Sequence, residues 1–261
     1  MHTAWLVQTN VEPESMSPSA LRHACAVEQR PFYEISVIPG SPALPEMPSI
    51  NGPVVFHGRT TLILRAFEHP QWRRGIFFDP MNFQHRAYAT AYGEQLLNAD
   101  AKITTWEEFL HQPHAPEDIV FLKPNDDLKR FTGGMFSFAQ CCALYKRLRS
   151  AARPIEPTAE VVVGKPREID AEWRVFIVDG EVISGSMYRP SDDTHLPHDL
   201  IVFAESAASH WMPASVFVLD VARVEQTWKI VECNCFNGSR FYTADVCRIV
   251  RAVSEHQERT M

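Results

Sequence analysis

Val216-Phe-Val-Leu-Asp220-Val-Ala222 and Trp228-Lys-Ile-Val-Glu232-Cys-Asn234 are two apolar, strand-like segments that each carry an acid near their end. An ionised carboxylate among Val, Ile and Leu costs free energy unless a cation or hydrogen bonds compensate it. Carboxylate and amide oxygens are also the ligands that Mg²⁺ prefers in proteins. The segments therefore predict a metal site at Asp220, Glu232 and Asn234. Two acids at exposed strand ends are the alternative.

The short connection between the two segments predicts an antiparallel hairpin. With residues 223–227 as its turn, Asp220 pairs with Ile230. Asp220, Glu232 and Asn234 then project from one face, and the two acids are diagonal neighbours about 7–8 Å apart at the backbone. A shift of register by one residue would move the acids to opposite faces of the sheet.

Composition narrows the class of protein. The chain has 261 residues, of which 45% are hydrophobic and 22% charged, as in an ordinary globular protein of one large domain or two smaller ones. No apolar run is long enough to span a bilayer and no signal peptide is evident, so we expect a cytoplasmic protein that does not contact membranes. The six cysteines form no C-x-x-C pair, and the net charge of −7 argues against an extended nucleic-acid surface.

The character of the sequence changes near residue 100. Strand-like and helix-like segments alternate over about the first 95 residues, whereas strands and hairpins dominate from Ile119 onward. Helices are predicted there only near residues 138–150 and 203–210. We therefore predict an α+β protein with an N-terminal α/β lobe, residues 1–99, followed by a second unit, residues 100–261.

A pair of lysines flanks a polar turn in the middle of the chain. Lys123 ends the apolar strand that begins at Ile119, and Lys129 follows shortly before Thr132-Gly133-Gly134. Lysine is a point charge suited to phosphate, and glycine lets backbone N–H groups approach closely. The segment is not the G-x-x-x-x-G-K-[ST] phosphate loop. Solvated lysines beside a tight turn are the alternative interpretation.

The clearest hairpin surrounds Asp179-Gly180, a dipeptide that favours a type I′ turn. Its predicted pairing places Glu172, Arg174 and Arg189 on one face, far from the turn. These charges could form a surface salt bridge of little energetic value, or a clamp in which arginines grip phosphate oxygens. Gly185, predicted to lie opposite Arg174, would leave room for a ligand above the sheet.

A further apolar strand runs through Glu160, Val162 and Val163 before it breaks at Gly164. Such a strand can offer backbone N–H and C=O groups to the edge of an adenine ring, although most strands of this composition are simply core. No G-x-S-x-G motif is present, and no Cys/His pair stands out as a nucleophile with its base.

The order of these segments resembles the ATP-grasp superfamily, and most closely its small bacterial and phage clade named for one arginine and two lysines. The resemblance rests on Phe121-Leu-Lys123-Pro, Lys129-Arg-Phe-Thr-Gly133, Glu172-Trp-Arg174 and Val231-Glu232-Cys-Asn234. It covers roughly Ile119 to the C-terminus, and the N-terminal part fits more loosely. It implies an ATP-grasp fold in which two antiparallel-sheet subdomains, about 100–160 and 161–261, hold the nucleotide between them.

The resemblance also implies roles for individual residues. Lys123 and Lys129 would hold ATP phosphates under a cover formed by Thr132, Gly133 and Gly134. The strand that contains Glu160, Val162 and Val163 would contact adenine, and Glu172 would orient the lysines or the ribose. Arg174 and Arg189, with Lys129, would stabilise the transferred phosphate. Mg²⁺ would be held by Asp220, Glu232 and Asn234.

The implied reaction activates a carboxylate with ATP as an acyl phosphate, which an amine then attacks. Preorganised cations would supply most of the rate effect, because charge grows on the transferred oxygens. The acid and the amine are not identified by any motif, and a peptide or protein is among the candidate substrates. Phosphoryl transfer to a hydroxyl, or nucleotide binding without turnover, are the alternatives.

Overall fold

Three β-sheets organise the chain in the computed structural model, which describes residues 2–10, 17–38 and 45–260. The first sheet is parallel and comprises β1 (Ala4–Gln8), β2 (Phe32–Ile35) and β3 (Val54–His57). Its order is β2-β1-β3, and every residue of the central strand β1 is buried, as is usual for parallel strands covered by helices. The helices of this region are α1 (Ser17–Val27), α2 (Thr60–Glu68) and α3 (His85–Tyr92).

The second sheet is antiparallel and has its own hydrophobic core. Its strands are β4 (Lys102–Thr105), β5 (Ile119–Pro124), β6 (Gly134–Ser137) and β7 (Glu160–Gly164), in the order β4-β7-β5-β6. The helices α4 (Trp106–Leu110) and α5 (Phe138–Arg149) pack on one side. Each begins with a reciprocal capping box, Thr105 with Glu108 and Ser137 with Gln140, which fixes where the strand before it ends.

The third sheet is also antiparallel and carries the acids. Its strands are β8 (Ala171–Val178), β9 (Glu181–Arg189), β10 (Val216–Val224) and β11 (Thr227–Cys235), in the order β11-β10-β8-β9. Between β9 and β10 lies α6 (His198–His210), which begins five residues earlier than the predicted helix, and α7 (Val246–Thr260) follows the sheet.

The first and third sheets share their hydrophobic cores. One core joins Leu6 and Phe56 to Val175 and Leu219, and another joins Trp5 to Val253 of α7. Hydrogen bonds reinforce the contact, as Trp5 Nε1 donates to Ser254 Oγ at 3.0 Å. The N-terminal α/β region therefore packs tightly against the C-terminal sheet and helix.

The acid-bearing hairpin has a different register from the predicted one. Its turn is the two-residue Glu225-Gln226 step, with φ of 48° and 67°, instead of residues 223–227. This turn alone would pair Asp220 with Val231, but a bulge between Asp220 and Val221 shifts the pairing of Asp220 to Glu232 and leaves Ile230 opposite Val221. The predicted pairing of Asp220 with Ile230 is wrong, but the acids remain on one face and are closer together than predicted.

The Asp179-Gly180 hairpin follows the prediction only near its turn. Val178 pairs with Glu181 as expected, but a bulge after Phe176 places Gly185 opposite Val175 instead of Arg174. A Cβ atom at Gly185 would lie 2.5 Å from the carbonyl oxygen of Arg174. Glycine is needed here because the backbones approach closely, and the predicted space for a ligand above it does not exist.

Two further expectations concern the boundary between the subdomains and the absence of membrane-spanning segments. The predicted boundary between subdomains at residues 160 and 161 falls inside β7, so the second sheet extends to Gly164. None of the helices in the described part of the chain is long and apolar enough to cross a membrane.

Candidate active site

The three residues predicted to bind metal lie together on β10 and β11. Nδ2 of Asn234 donates to Oδ2 of Asp220 at 3.0 Å and to Oε1 of Glu232 at 3.1 Å. All three belong to the third sheet, and Asp220 and Asn234 are almost fully buried. Because both carboxylates converge on one amide nitrogen, their oxygens are within reach of a single small cation.

Both predicted lysines reach these residues from the second sheet and the loop that follows β5. Nζ of Lys123 donates to Oε2 of Glu232 at 3.0 Å and to the hydroxyl of Tyr88 at 2.6 Å. Nζ of Lys129 contacts Oδ1 of Asp127 and Oδ1 of Asn234, each at 2.5 Å. The second and third sheets are therefore joined by a network of charges.

Asp127 is a member of this network that the sequence analysis did not select. It is largely buried, and its Oδ2 accepts a hydrogen bond from the backbone N–H of Cys235 at 3.0 Å. The sequence feature that could have identified Asp127 is its position in a polar turn between Lys123 and Lys129. Burial raises the pKa of Asp127, and Lys129 opposes that shift.

The network determines the ionisation of Glu232. Burial would raise the pKa of this carboxyl, but the charges of Lys123 and Lys129 outweigh burial and hold it far below the usual range. For Lys129, burial disfavours the charge, but Asp127 and Glu232 raise its pKa overall. Both groups are therefore charged at neutral pH, and each stabilises the other.

Arg174 is held rigidly on β8 beside the acids. Its Nε and Nη2 atoms donate to the two oxygens of Asp220 at 2.8 and 2.7 Å. Its guanidinium also lies 5.1 Å from the ring centre of Tyr242 and 5.7 Å from that of Tyr188. The two tyrosine rings are stacked at 4.9 Å and nearly parallel. Bidentate pairing and aromatic contact fix the orientation of the guanidinium.

Glu172 and Arg189 occupy the far end of the same hairpin. Glu172 is buried, which raises its pKa, and it accepts a hydrogen bond from the hydroxyl of Tyr188. Arg189 contacts it at 3.4 Å, but the arginine side chain is 71% exposed. The structure therefore holds Arg174 firmly and Arg189 loosely.

A cavity of about 370 Å³ lies between the second and third sheets and adjoins this network. Its polar lining contains most of the predicted site: Lys123, Lys129, Thr132, Gly133, Gly134, Glu172, Arg174, Arg189, Asp220 and Glu232. Its apolar lining includes Leu97, Phe121, Met135, Ile169 and Val231. The lining thus combines charged and apolar residues, which suits a ligand with a flat apolar part and an anionic tail. We call it the inter-sheet cavity.

The strand predicted to meet adenine does not line either cavity. β7 is an interior strand, in which Val162 pairs with Ile103 and Lys123, and Val163 pairs with Lys102 and Leu122. Glu160 instead accepts hydrogen bonds from Arg86 and Asn125. The residues that reach the inter-sheet cavity from this connection are Arg167 and Ile169, beyond the end of β7.

A second cavity, of about 880 Å³, also adjoins the charged network. It is lined by the connection from β3 to α2, including Gly58, Arg59 and Thr60, and by Arg240 after β11. Six residues line both cavities: Asp127, Lys129, Thr132, Arg174, Glu232 and Tyr242. The strand–Gly–helix step at Gly58 forms part of this wall. We call it the outer cavity.

Residues 60–253 match a family model of the ATP-grasp domain, that of family 3 in the clade named for one arginine and two lysines. The chain belongs to the ATP-grasp superfamily. The predicted family and fold are therefore confirmed, and the match extends upstream of Ile119 to include α2 of the N-terminal region.

Solved structures of ATP-grasp proteins have the same fold. The crystal structure of the D-cycloserine synthetase DcsG matches with a TM-score of 0.61 and 13% identity over 98% of this chain and 99% of that chain. The ATP-grasp ligase PsnB complexed with minimal precursor matches with a TM-score of 0.58 and 12% identity over 98% and 100%. A RimK domain ATP-grasp protein from Sphaerobacter thermophilus DSM 20745 matches with a TM-score of 0.60 and 10% identity over 97% and 99%. Among curated protein sequences, nothing matches the chain.

The donor set in this ATP-grasp chain fits Mg²⁺ carried by a nucleotide. Within the described ranges no group of three or more His, Cys, Asp or Glu residues could hold a metal by itself. Two carboxylates and one amide converge instead, at Asp220, Glu232 and Asn234. Mg²⁺ is commonly held by one or two carboxylates together with substrate phosphates, so this incomplete set of oxygen ligands is suitable.

Proposed function

We propose that the protein is an ATP- and Mg²⁺-dependent ligase that activates a carboxylate as an acyl phosphate for attack by an amine. The observation that carries the proposal is that one charged network lines both cavities. A nucleotide in the inter-sheet cavity would point its phosphates at Lys123, Lys129 and Arg174. The outer cavity would hold the acid next to the same network.

The charges of the network suit phosphate binding. Lys123 and Lys129 face the inter-sheet cavity as compact cations, and Gly133 and Gly134 follow them in its lining. Arg174 offers a planar guanidinium, which suits the oxygens of a transferred phosphoryl group. Asp220, Glu232 and Asn234 would hold Mg²⁺, which would supply charge screening between the phosphates and an incoming carboxylate.

The reaction follows from these positions. A carboxylate oxygen of the substrate acid forms a bond to the γ-phosphorus, and the bond from that phosphorus to the β-γ bridging oxygen breaks, which releases ADP. The amine nitrogen then attacks the acyl carbon, loses a proton and expels inorganic phosphate. Lys129 and Arg174 would stabilise the charge that accumulates on the transferred oxygens. No nucleophile from the protein is required.

The outer cavity supports an anionic acid substrate. Arg59 and Arg240 line it, and the N-terminus of α2 at Thr60 opens onto it, where the helix dipole favours negative charge. Its volume of about 880 Å³ is in the range of sites for small molecules or for a few residues of a peptide. The solved PsnB structures contain a precursor peptide, and a peptide is a candidate substrate here as well.

Replacement of Lys123 by Met tests the nucleotide site. We expect the variant to bind Mg·ATP roughly 10- to 100-fold more weakly than the unaltered protein, because a charge-assisted hydrogen bond is lost. Calorimetric titration measures the affinity. Lys146→Met, on the exposed side of α5, is the matched control and should bind normally. Since Lys123 is buried against Glu232, Lys129→Met serves as a second variant if Lys123→Met does not fold. Normal affinity in folded Lys123→Met protein would contradict the site.

Hydroxylamine separates a ligase from a kinase. A trapped hydroxamate during turnover with a candidate acid indicates an acyl phosphate, whereas a stable phosphorylated product indicates transfer to a hydroxyl. ADP release with neither the acid nor hydroxylamine present would reflect hydrolysis of ATP alone.

A further inference from the structure

We propose that Tyr88 and His85 position the ammonium group of Lys123, through a chain of hydrogen bonds in which Lys123 donates to Tyr88 and Tyr88 donates to His85. This inference rests on the proposed function, since the chain has this role only if Lys123 binds the nucleotide. It assigns two positioning residues of the site to α3 in the N-terminal region, outside every motif that the sequence analysis selected.

The ammonium group of Lys123 has two partners, and only one of them also faces a metal. Lys123 is 7% exposed, and its Nζ lies 2.6 Å from the hydroxyl of Tyr88 and 3.0 Å from Oε2 of Glu232. Glu232 also belongs to the set of residues that would hold Mg²⁺. Tyr88 does not, so its hydroxyl is the partner of Lys123 for which the metal does not compete.

The chemistry of the three groups fixes the direction of the hydrogen bonds. An ammonium group only donates, so the hydroxyl oxygen of Tyr88 accepts from Lys123. The hydroxyl proton then needs an acceptor, and Nδ1 of His85 lies 3.3 Å from that oxygen. The described residues provide no other partner for this buried hydroxyl. Nδ1 of His85 therefore accepts, and the ring is neutral with its proton on Nε2.

The protonation states of the two α3 side chains agree with this direction. Burial raises the pKa of Tyr88 well above its ordinary value, so the hydroxyl keeps its proton. Burial, together with the charge of Lys123, lowers the pKa of His85 to about 3, so the imidazole is neutral at pH 7. A protonated imidazole would carry a proton on Nδ1 and could not accept there.

Both ends of the chain are attached to the same end of β5. The backbone N–H of His85, the first residue of α3, donates to the carbonyl of Asn125 at 2.7 Å. The backbone N–H of Arg86 donates to Oδ1 of Asn125 at 3.2 Å. Asn125 follows Lys123 by two residues. The start of α3 and the end of β5 are therefore held together, which fixes the hydroxyl of Tyr88 next to the lysine.

A fixed acceptor matters because lysine is a flexible side chain. Its ammonium group is a point charge on a four-carbon stem. Lys123 and Tyr88 both line the inter-sheet cavity, where the phosphates of a nucleotide would bind. A lysine that is oriented before binding loses less freedom when the nucleotide arrives, and this increases affinity.

A double-mutant cycle on nucleotide affinity tests whether Tyr88 acts through Lys123. Dissociation constants for Mg·ATP are measured by calorimetric titration for the unaltered protein, Tyr88→Phe, Lys123→Met and the double variant. Tyr88→Phe alone should weaken binding about tenfold, the loss expected for one hydrogen bond to a charged group. When Lys123 is already replaced, the same change should alter affinity by less than about twofold. A merely structural role of Tyr88 would give the same loss in both backgrounds.

Tyr92→Phe is the matched control. Tyr92 lies on the same helix and is 4% exposed, and its hydroxyl donates to the carbonyl of Trp211 at 2.9 Å, but it lines neither cavity. Its replacement removes a buried hydrogen bond from α3 without changing the partners of Lys123. The affinity for Mg·ATP should stay within about twofold of that of the unaltered protein.

Nitrogen NMR of the imidazole tests the direction of the chain in the protein without a nucleotide. Spectra that correlate ring nitrogens with carbon-bound ring protons identify the tautomer, and His85→Gln identifies the signals of His85. We expect the Nε2–H tautomer at pH 7, with Nδ1 accepting a hydrogen bond. In Tyr88→Phe, the Nδ1 signal should move to the position of a nitrogen that accepts none. This measurement requires no change at Lys123, so it remains decisive if Lys123→Met does not fold.

The outcomes separate the inference from the proposed function. Equal losses of affinity in both backgrounds, a proton on Nδ1 of His85, or an unmoved Nδ1 signal in Tyr88→Phe each overturn the inference. None of these results affects the proposed function as long as the unaltered protein binds Mg·ATP. If the unaltered protein does not bind Mg·ATP, the proposed function and this inference both fail.

Discussion

Arg174 is the most constrained side chain of the site. Two hydrogen bonds to Asp220 and the stacked rings of Tyr188 and Tyr242 leave its guanidinium in one orientation. A group that is already oriented loses little freedom when a transition state forms next to it, and such preorganisation is a large source of catalysis. Under the proposed function we therefore expect both the charge and the planar shape of Arg174 to contribute to catalysis.

Arg174→Lys should lower kcat about 10²- to 10³-fold, because an ammonium keeps the charge but cannot form the bidentate pair or stack as a plane. Steady-state kinetics with the ADP-release assay measures the effect. Arg147→Lys is the matched control, since that arginine is exposed on α5, lines neither cavity and should tolerate the change. Equal losses in both variants would contradict a special role for the guanidinium of Arg174.

Residue types and their order were sufficient to predict most of the charged residues that the structure brings together. Lysines, an Arg and oxygen-rich side chains in apolar strands are visible in sequence because they are costly to bury without partners. Asp127 and Tyr242 were not predicted. Asp127 lies in a loop, and Tyr242 is an aromatic residue of the kind normally found in cores, so only the packing of distant segments brings them to the network.

At the scale of single elements, the Thr132-Gly133-Gly134 turn combines two glycines with different surroundings. A Cβ atom at Gly133 would lie 2.8 Å from Cβ of Lys123, whereas a Cβ atom at Gly134 would meet nothing closer than the ring of Phe136 at 3.7 Å. The first glycine therefore allows the turn to cross directly over the lysine strand. At Gly134 there is room for a larger side chain, so packing does not require glycine there.

Gly133→Ala should push the turn away from Lys123 and weaken Mg·ATP binding about tenfold, because overpacking of this size costs about 1–3 kcal/mol. Calorimetric titration measures the change, and the unfolding temperature reports any general damage. Gly134→Ala should bind ATP nearly normally. If Gly134→Ala were the more damaging of the two, the closeness of the turn to Lys123 would not explain the need for glycine.

The identity of the elements was predictable, but strand register was not. Asp179-Gly180 identified its turn because glycine tolerates the positive φ that type I′ turns require. Glu225-Gln226 adopts positive φ without any such residue, so a two-residue turn there is not visible in the sequence. Bulges after Asp220 and Phe176 then moved the remaining pairs, and bulges leave little trace in an apolar pattern.

At the scale of the whole molecule, two buried histidines connect distant segments. Burial lowers the pKa of His57 to about 4, and Nε2 of His57 lies 3.0 Å from the carbonyl oxygen of Ser239, beyond the third sheet. Burial, assisted by the charge of Lys123, lowers the pKa of His85 to about 3. Both rings are therefore neutral in the folded protein at pH values where an unfolded chain would bind protons.

The free energy of unfolding should consequently fall as the pH is lowered. The contribution of each histidine is complete above the ordinary pKa of 6.5 and is lost as the pH falls towards about 4 for His57 and about 3 for His85. Each adds up to about 1.4 kcal/mol per pH unit to the slope of unfolding free energy against pH. Urea unfolding between pH 7 and pH 4.5 measures this slope. His57→Gln should flatten it, and the exposed His23→Gln should not. An equal slope in His57→Gln would contradict the assignment.

The ion pairs of the charged network have a consequence for how its ligands bind. Lys123 is paired with Glu232 and Arg174 with Asp220, so each carboxylate that would bind a metal already neutralises a cation that would contact phosphate. A metal arriving alone would leave cations without counter-ions, and a nucleotide arriving alone would do the same to the acids. When both arrive together, every charge exchanges one partner for another. We therefore expect strong heterotropic cooperativity, in which each ligand raises the affinity for the other by the same factor.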